Sequence, residues 1–177
     1  MTWHEPYLVI GTFLGIGLTF VAILITRYYQ KKEYDRKGML RIYDILSNEP
    51  NKRIRRRLYE AYCTGKIDSD GKLLDFTYNE DIEEVRTVFG EIGSLVQYGY
   101  VPKNNFLDAY AGVIIKTWKA LEKNIERERQ LRGTHRYMDS FESLYKDAKV
   151  HWKKQYYPDP DPEPCNKKTD EIMNNKK

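Results

Sequence analysis

An uncharged run of twenty residues near the start of the chain, 7–26, constrains the fold more than any other feature. At a helical rise of about 1.5 Å per residue it would extend roughly 30 Å, the thickness of the hydrocarbon core of a bilayer. A secretory signal peptide would instead have a basic segment before the apolar run and a small-residue cleavage site after it. Residues 1–6 contain no Lys or Arg, and Arg27 follows the run directly. We therefore predict a retained transmembrane helix over 7–26.

The distribution of charge around this run predicts its orientation. Glu5 is the only formal charge before it, whereas the residues after it are rich in Lys and Arg. Positively charged residues stay on the cytoplasmic side, so we predict a short outward N-terminus at 1–6 and a cytoplasmic domain anchored in the cell membrane. The predicted contacts with the membrane surface, where anionic lipid would bind, are Arg27, Lys31, Lys32, Arg36 and Lys37.

Length and charge define the class of domain that follows. The chain has 177 residues, and the segment 27–157 is long enough for one domain with its own core. Thirty basic residues face 26 acidic ones, and the resulting net charge of +4 is not that of a nucleic-acid-binding polycation, so no nucleic-acid partner is expected. The two cysteines, Cys63 and Cys165, are expected to be reduced thiols in the cytosol.

The spacing of apolar residues predicts an all-α domain, a cytoplasmic bundle of about four to five helices after the transmembrane helix. Turn and capping residues place the helices at about 30–46, 50–64, 79–98, 102–132 and 136–156. The first of them could continue the transmembrane helix, with Gly38 as a candidate break. The polar stretch 126–129 is expected to project or fray, and the proline-rich tail 158–177 to be extended or disordered when free.

The longest predicted helix carries the clearest core-facing stripe. Apolar side chains recur along it with helical spacing. They are Phe106, Tyr110, Val113, Ile114, Trp118, Leu121 and Ile125.

The patterns that usually mark chemistry are missing from the sequence. His4, His135 and His151 are spread over three segments with no ligand spacing between them. The turn at 68–71 resembles the start of a calcium loop, but Asn79 stands where the bidentate Glu would be. No nucleophile, dinucleotide or phosphate-binding motif is present. We predict no catalytic residue, cofactor or metal, and hence no enzyme.

Two patterns point to binding surfaces. The arginines of the 52–57 run are predicted to form a solvated or partner-facing surface, and the alternative is a lipid contact. Lipid contact requires a bend near Gly38, because a straight helix would hold them roughly 30 Å from the bilayer. They are Arg53, Arg55, Arg56 and Arg57. Within the apolar run, Gly11, Gly15 and Gly17 form a small-residue face suited to packing on another transmembrane helix. The alternative is that glycine is simply common in such spans.

Residues 57–133 carry a recognisable order of motifs. An IG-x-L-V helix end is followed by G-x-VPK-xx-FL, then W-xx-L-E, then a charged ER run. This order resembles an uncharacterised family of helical domains common in archaeal proteins, which implies a helical fold and no known catalytic residue. The single span, the Tyr- and Lys-rich helical domain and the short N-terminus also resemble accessory subunits of the archaeal ammonia monooxygenase complex.

Together these patterns predict a non-catalytic single-pass membrane subunit. It would dock onto and stabilise a larger membrane protein complex through its transmembrane helix and its cytoplasmic domain. An archaeal ammonia monooxygenase accessory subunit is the specific candidate. The alternative is a membrane-tethered cytoplasmic interaction or regulatory module.

Overall fold

A computed structural model describes residues 5–67, 79–156 and 162–165, with side chains described from Gly17 onward. These residues form five helices and no β-strand. The helices are α1 (Glu5–Ser47), α2 (Glu49–Cys63), α3 (Asn79–Gln97), α4 (Lys103–Arg132) and α5 (Asp139–Tyr156). The predicted all-helical class is confirmed. The chain divides into two compact units, Met1–Lys37 and Gly38–Lys177.

The first unit consists of the N-terminal part of α1, which contains the whole predicted span. Among the residues that the structure describes, no helix combines the length and the apolarity needed to cross a membrane. The side chains of 7–16, half of the predicted span, lie outside the described set. The helix continues through Gly38, so the candidate break at that residue is not present.

The helix ends at Pro50 and Gly133 follow the predicted turn chemistry, whereas Asn48 makes no side-chain capping hydrogen bond to α2. Asn48 alone separates α1 from α2, and Pro50 lies in the first turn of α2, where its missing amide proton is not needed. Gly133 ends α4 with φ +61°, a left-handed conformation that disfavours other residues. Its amide and that of Thr134 donate to the carbonyls of Gln130 and Arg129, which closes the last turn.

The core of the second unit lies between α3, α4 and α5, with α2 and the last part of α1, residues 38–47, packed against it. Trp118 is 4% exposed and lies at the centre of an aromatic cluster. Its ring meets Phe141 edge-on at 5.1 Å and stacks on Tyr145 at 5.3 Å, while Phe89 lies 5.0 Å from Phe141. From α1, Ile42 and Leu46 enter the same core. The predicted stripe on α4 therefore faces inward as expected.

The charged end of α4 corrects one expectation. Residues 126–129 were predicted to project or fray, but α4 continues to Arg132. Arg129 donates to the Tyr137 carbonyl at 2.8 Å and pairs with Glu142 at 2.8 Å. The reason is that α5 folds back along this segment and supplies the partners that the sequence pattern does not reveal.

Candidate functional site

The exposed surface of α1 between Gly17 and Tyr34 is the most unusual feature of the described chain. Every residue in this stretch is exposed. Large apolar side chains keep about half or more of their surface accessible, namely Leu18, Phe20, Val21, Ile23, Leu24 and Ile25. At 100° per residue, six such positions within eight residues surround the helix. A helix that is apolar all round normally lies in a protein core or in a membrane.

A belt of aromatic and basic residues follows this apolar stretch. Tyr28 and Tyr29 are each 65% exposed, and their rings meet edge-on at 5.6 Å. The five predicted surface cations, Arg27 to Lys37, are all exposed on α1, three of them within the Gly17–Tyr34 stretch and two just after it. Lys37 pairs with Glu33 at 3.1 Å, and this hydrogen bond lowers the pKa of Glu33. Tyrosine next to lysine and arginine is typical of the boundary between hydrocarbon and headgroups.

Of the three glycines in the predicted glycine face, only Gly17 lies among the described side chains. The surroundings of Gly11 and Gly15 lie outside the described side chains. At Gly17, an added Cβ would meet no atom within 4 Å. Among the described residues, therefore, nothing blocks the approach of another helix to Gly17.

The arginine run does not form one surface. Arg55 turns back to α1, where Nη2 donates to the Leu46 carbonyl at 2.6 Å, and burial lowers its pKa. Arg57 pairs with the shielded carboxylate of Asp81 on α3 at 2.8 Å. Arg53 and Arg56 are exposed. Two of the four predicted surface arginines thus hold helices together, and the other two face solvent.

Several polar groups lie inside the bundle that the sequence did not single out. Thr117 is fully buried, and its hydroxyl lies 2.8 Å from that of Tyr59 on α2, whose pKa is raised by burial. Arg86, 7% exposed, donates to Asn124 at 3.1 Å. These pairs connect neighbouring helices. The signal that could have found Thr117 is its place between apolar positions on the stripe of α4.

Metal-ligating side chains do not converge within the described ranges. No group of three or more His, Cys, Asp or Glu with suitable geometry occurs there. His151 pairs with Asp108 at 2.9 Å, and His135 is exposed beside a depression of about 430 Å³ at the α4–α5 turn. His4 and the turn at 68–71 lie outside the described residues.

The cysteines correct the expectation of free thiols. Cys63, the last residue of α2, is joined to Cys165 by a disulfide with Cα atoms 5.6 Å apart. The two residues are 102 positions apart, so no local pattern revealed the pairing. Glu163 in the same tail segment pairs with Lys119 of α4 at 2.6 Å. The predicted free tail is, at residues 162–165, bound to the bundle.

The described residues define a class: a helical bundle preceded by a helix that carries exposed apolar side chains from Leu18 to Ile25. Residues 13–152, which are 140 of the 177, match the family model DUF4760, a domain of unknown function, and the chain belongs to that family. The predicted membership of an uncharacterised family is confirmed, and the family covers more of the chain than the motifs at 57–133. Neither a curated protein nor a solved structure matches the chain.

Proposed function

We propose that this chain is a non-catalytic, single-pass membrane subunit that docks onto a larger membrane protein complex. The observation that carries the proposal is the exposed apolar surface of Leu18 to Ile25, which continues the uncharged sequence from residue 7. A lipid bilayer or a neighbouring transmembrane helix would cover this surface. The tyrosines and cations that follow would then lie at headgroup level.

The proposed orientation places residues 1–6 outside and the bundle in the cytoplasm, because Lys and Arg follow the span. Protease added to sealed, right-side-out vesicles tests it. The bundle should survive intact, and addition of detergent should make it digestible. Digestion of the bundle from outside without detergent would indicate the opposite orientation. That orientation would place the disulfide-bonded domain in an oxidising compartment.

Partner recognition is proposed to use the glycine face of the span. In lipid, association of helices depends on close backbone approach, which Gly11, Gly15 and Gly17 permit. Replacing Gly11 and Gly15 with Leu keeps the segment apolar but holds a neighbouring helix away. Recovery of partners in mild detergent should fall, while membrane insertion persists.

The matched control replaces Leu14 and Leu18 with Ile, which changes shape but not the glycine face. Equal partner recovery for the glycine variant and the wild type would show that the span serves only as an anchor. Partner recognition would then have to reside in the bundle or the tail. Stoichiometric recovery of ammonia monooxygenase subunits would support the specific candidate, for which the sequence resemblance is the sole support.

A membrane-tethered cytoplasmic interaction or regulatory module is the second candidate. The observation that favours it is the tail segment bound back onto the bundle through a disulfide, since a docked tail can be released. Purification in mild detergent separates the two functions. An obligate subunit is recovered with partners in fixed stoichiometry, whereas a tethered module is recovered largely alone.

A further inference from the structure

Residues 162–165, which we call the strap, lie across the surface of the bundle. Pro162 lies over Gly112 of α4, beside the ring of Trp152 from α5: a Cβ added at Gly112 would be 3.8 Å from Pro162 and 3.3 Å from Trp152. Glu163 pairs with Lys119, and Cys165 is bonded to Cys63. Four consecutive residues thus contact α4 twice and α2 once.

We propose that the strap is a redox-controlled latch, closed by the Cys63–Cys165 disulfide and released when a dithiol reductant opens it. Released, it would uncover the surface of α4 between Gly112 and Lys119, with Trp152 beside it.

The contacts apart from the disulfide are weak. The carboxylate of Glu163 is 61% exposed, and ion pairs with one such partner add little stability. The packing of Pro162 beside Gly112 and Trp152 is apolar and leaves the proline only partly buried. Neither offsets the conformational entropy lost when four residues are held in one arrangement. The covalent bond is therefore what keeps the strap in place.

The disulfide is also accessible to a reductant. Cys63 is exposed at the end of α2, and Cys165 is only partly buried. Exposed disulfides are the labile and regulatory ones, and cytosolic disulfides are usually redox-sensing. A cytosolic reductant follows from the proposed orientation, so the cellular part of this inference rests on the proposed function.

The chemistry is thiol–disulfide exchange. A thiolate of the reductant attacks the sulfur of Cys63, and the thiolate of Cys165 leaves and takes up a proton. The second thiolate of the reductant then attacks the mixed disulfide and releases Cys63, which is also protonated. Two electrons pass from the dithiol to the protein disulfide, the reductant becomes a disulfide, and its two protons end on Cys63 and Cys165.

Backbone NMR order parameters of the full chain in detergent test the latch without reference to topology. In the oxidised protein, the amides of Glu163 and Cys165 should show values near those of a rigid backbone, about 0.85, and after dithiothreitol values below about 0.6. Each single serine variant, Cys165→Ser in the strap and Cys63→Ser in α2, removes the disulfide. Both should therefore show the low order parameters of the reduced protein without any reductant. Lys119→Met is the matched control, and its oxidised strap should stay ordered.

An ordered strap in the reduced protein and in both serine variants would overturn the proposal. If the Cys63→Ser protein does not fold, the Cys165→Ser protein provides the test instead, because Cys165 lies outside the helices and its replacement leaves them intact. In cells, acid quenching followed by thiol labelling should show the oxidised fraction falling under dithiothreitol and rising under diamide. A bond that stays fully oxidised or fully reduced under both treatments also overturns the latch, whichever orientation the protease experiment gives.

Discussion

The two units of the chain differ in how much of their apolar side-chain surface is exposed. In the bundle, Phe89, Phe106 and Phe141 are fully buried, whereas on α1 Leu18 is 71% and Phe20 61% exposed. Removing apolar surface from water stabilises a fold by about 25 cal/mol per Å², and the bundle gains this stabilisation from its own helices. Around Leu18 to Ile25 the described residues provide no such cover. The large apolar side chains of the bundle core are therefore buried against one another, whereas those from Leu18 to Ile25 are exposed in the described part of the chain.

The largest expected effect comes from a matched pair of truncations, one in each unit. Trp118→Ala removes the centre of the aromatic cluster, and buried aromatic-to-Ala changes cost about 3 to 5 kcal/mol. Leu18→Ala removes an exposed side chain and should change the free energy of unfolding of the bundle by no more than about 0.5 kcal/mol. Thermal or denaturant unfolding in detergent measures both.

Equal effects of the two substitutions would remove the contrast between the units. An unchanged unfolding midpoint for Trp118→Ala would mean that Trp118 is not a core residue. Trp118 would then be a candidate residue for an interface with a partner. A large loss for Leu18→Ala would mean that the N-terminal segment contributes to the stability of the bundle.

A second pair compares glycines. A Cβ at Gly93 would lie 2.6 Å from backbone atoms of Ser140, so Gly93→Ala forces α3 and α5 apart. Overpacking of this kind costs about 1 to 3 kcal/mol. At Gly17 an added Cβ meets nothing within 4 Å, and Ala is the better helix former by up to about 1 kcal/mol. Gly17→Ala should thus leave the unfolding midpoint unchanged or slightly raised.

Either of two results would contradict the expected difference between Gly93→Ala and Gly17→Ala. If Gly93→Ala unfolds at the wild-type midpoint, the close approach of α3 to α5 is not required. A loss of stability for Gly17→Ala in the purified chain would show that the face at Gly17 is already packed within the protein itself.

Much of the bundle could be predicted from local sequence, because its signals are local. Helical spacing on α4 identified Trp118 and Leu121 as core residues, and Pro50 and Gly133 mark helix ends by their backbone chemistry alone. These features depend on residues within a few positions of one another, which a sequence displays directly.

The surface features could not be predicted in the same way. The partners of Arg55 and Arg57 are Leu46 and Asp81, 9 and 24 positions away, so a run that looks like one basic surface divides on folding. Charge patterns show which residues are polar but not which other helix will meet them. The same reason explains why the charged end of α4 was expected to fray.

The smallest expected effect concerns two carboxylates with lowered pKa values, one in each unit. Hydrogen bonds from Lys146 and Arg129 lower the pKa of Glu142, which is partly buried against α4, whereas Glu33 is fully exposed beside Lys37. A carboxylate whose folded pKa lies below the unfolded value stabilises the fold above the unfolded pKa. This stabilisation is lost as the pH falls through the folded pKa. Glu142→Gln should therefore lower the unfolding midpoint at pH 7, by the equivalent of up to about 1 kcal/mol.

The pH profile distinguishes lost charge from a simple change of shape. The difference between wild type and Glu142→Gln should be constant above the ordinary carboxyl pKa of 4.5 and should shrink as the pH falls below it. Glu33→Gln is the matched control and should follow the wild type at every pH, because the bundle unfolds without involving that exposed pair. A Glu142→Gln deficit that persists undiminished at acidic pH would assign the loss to packing, and the α4–α5 charge network would then be incidental to stability.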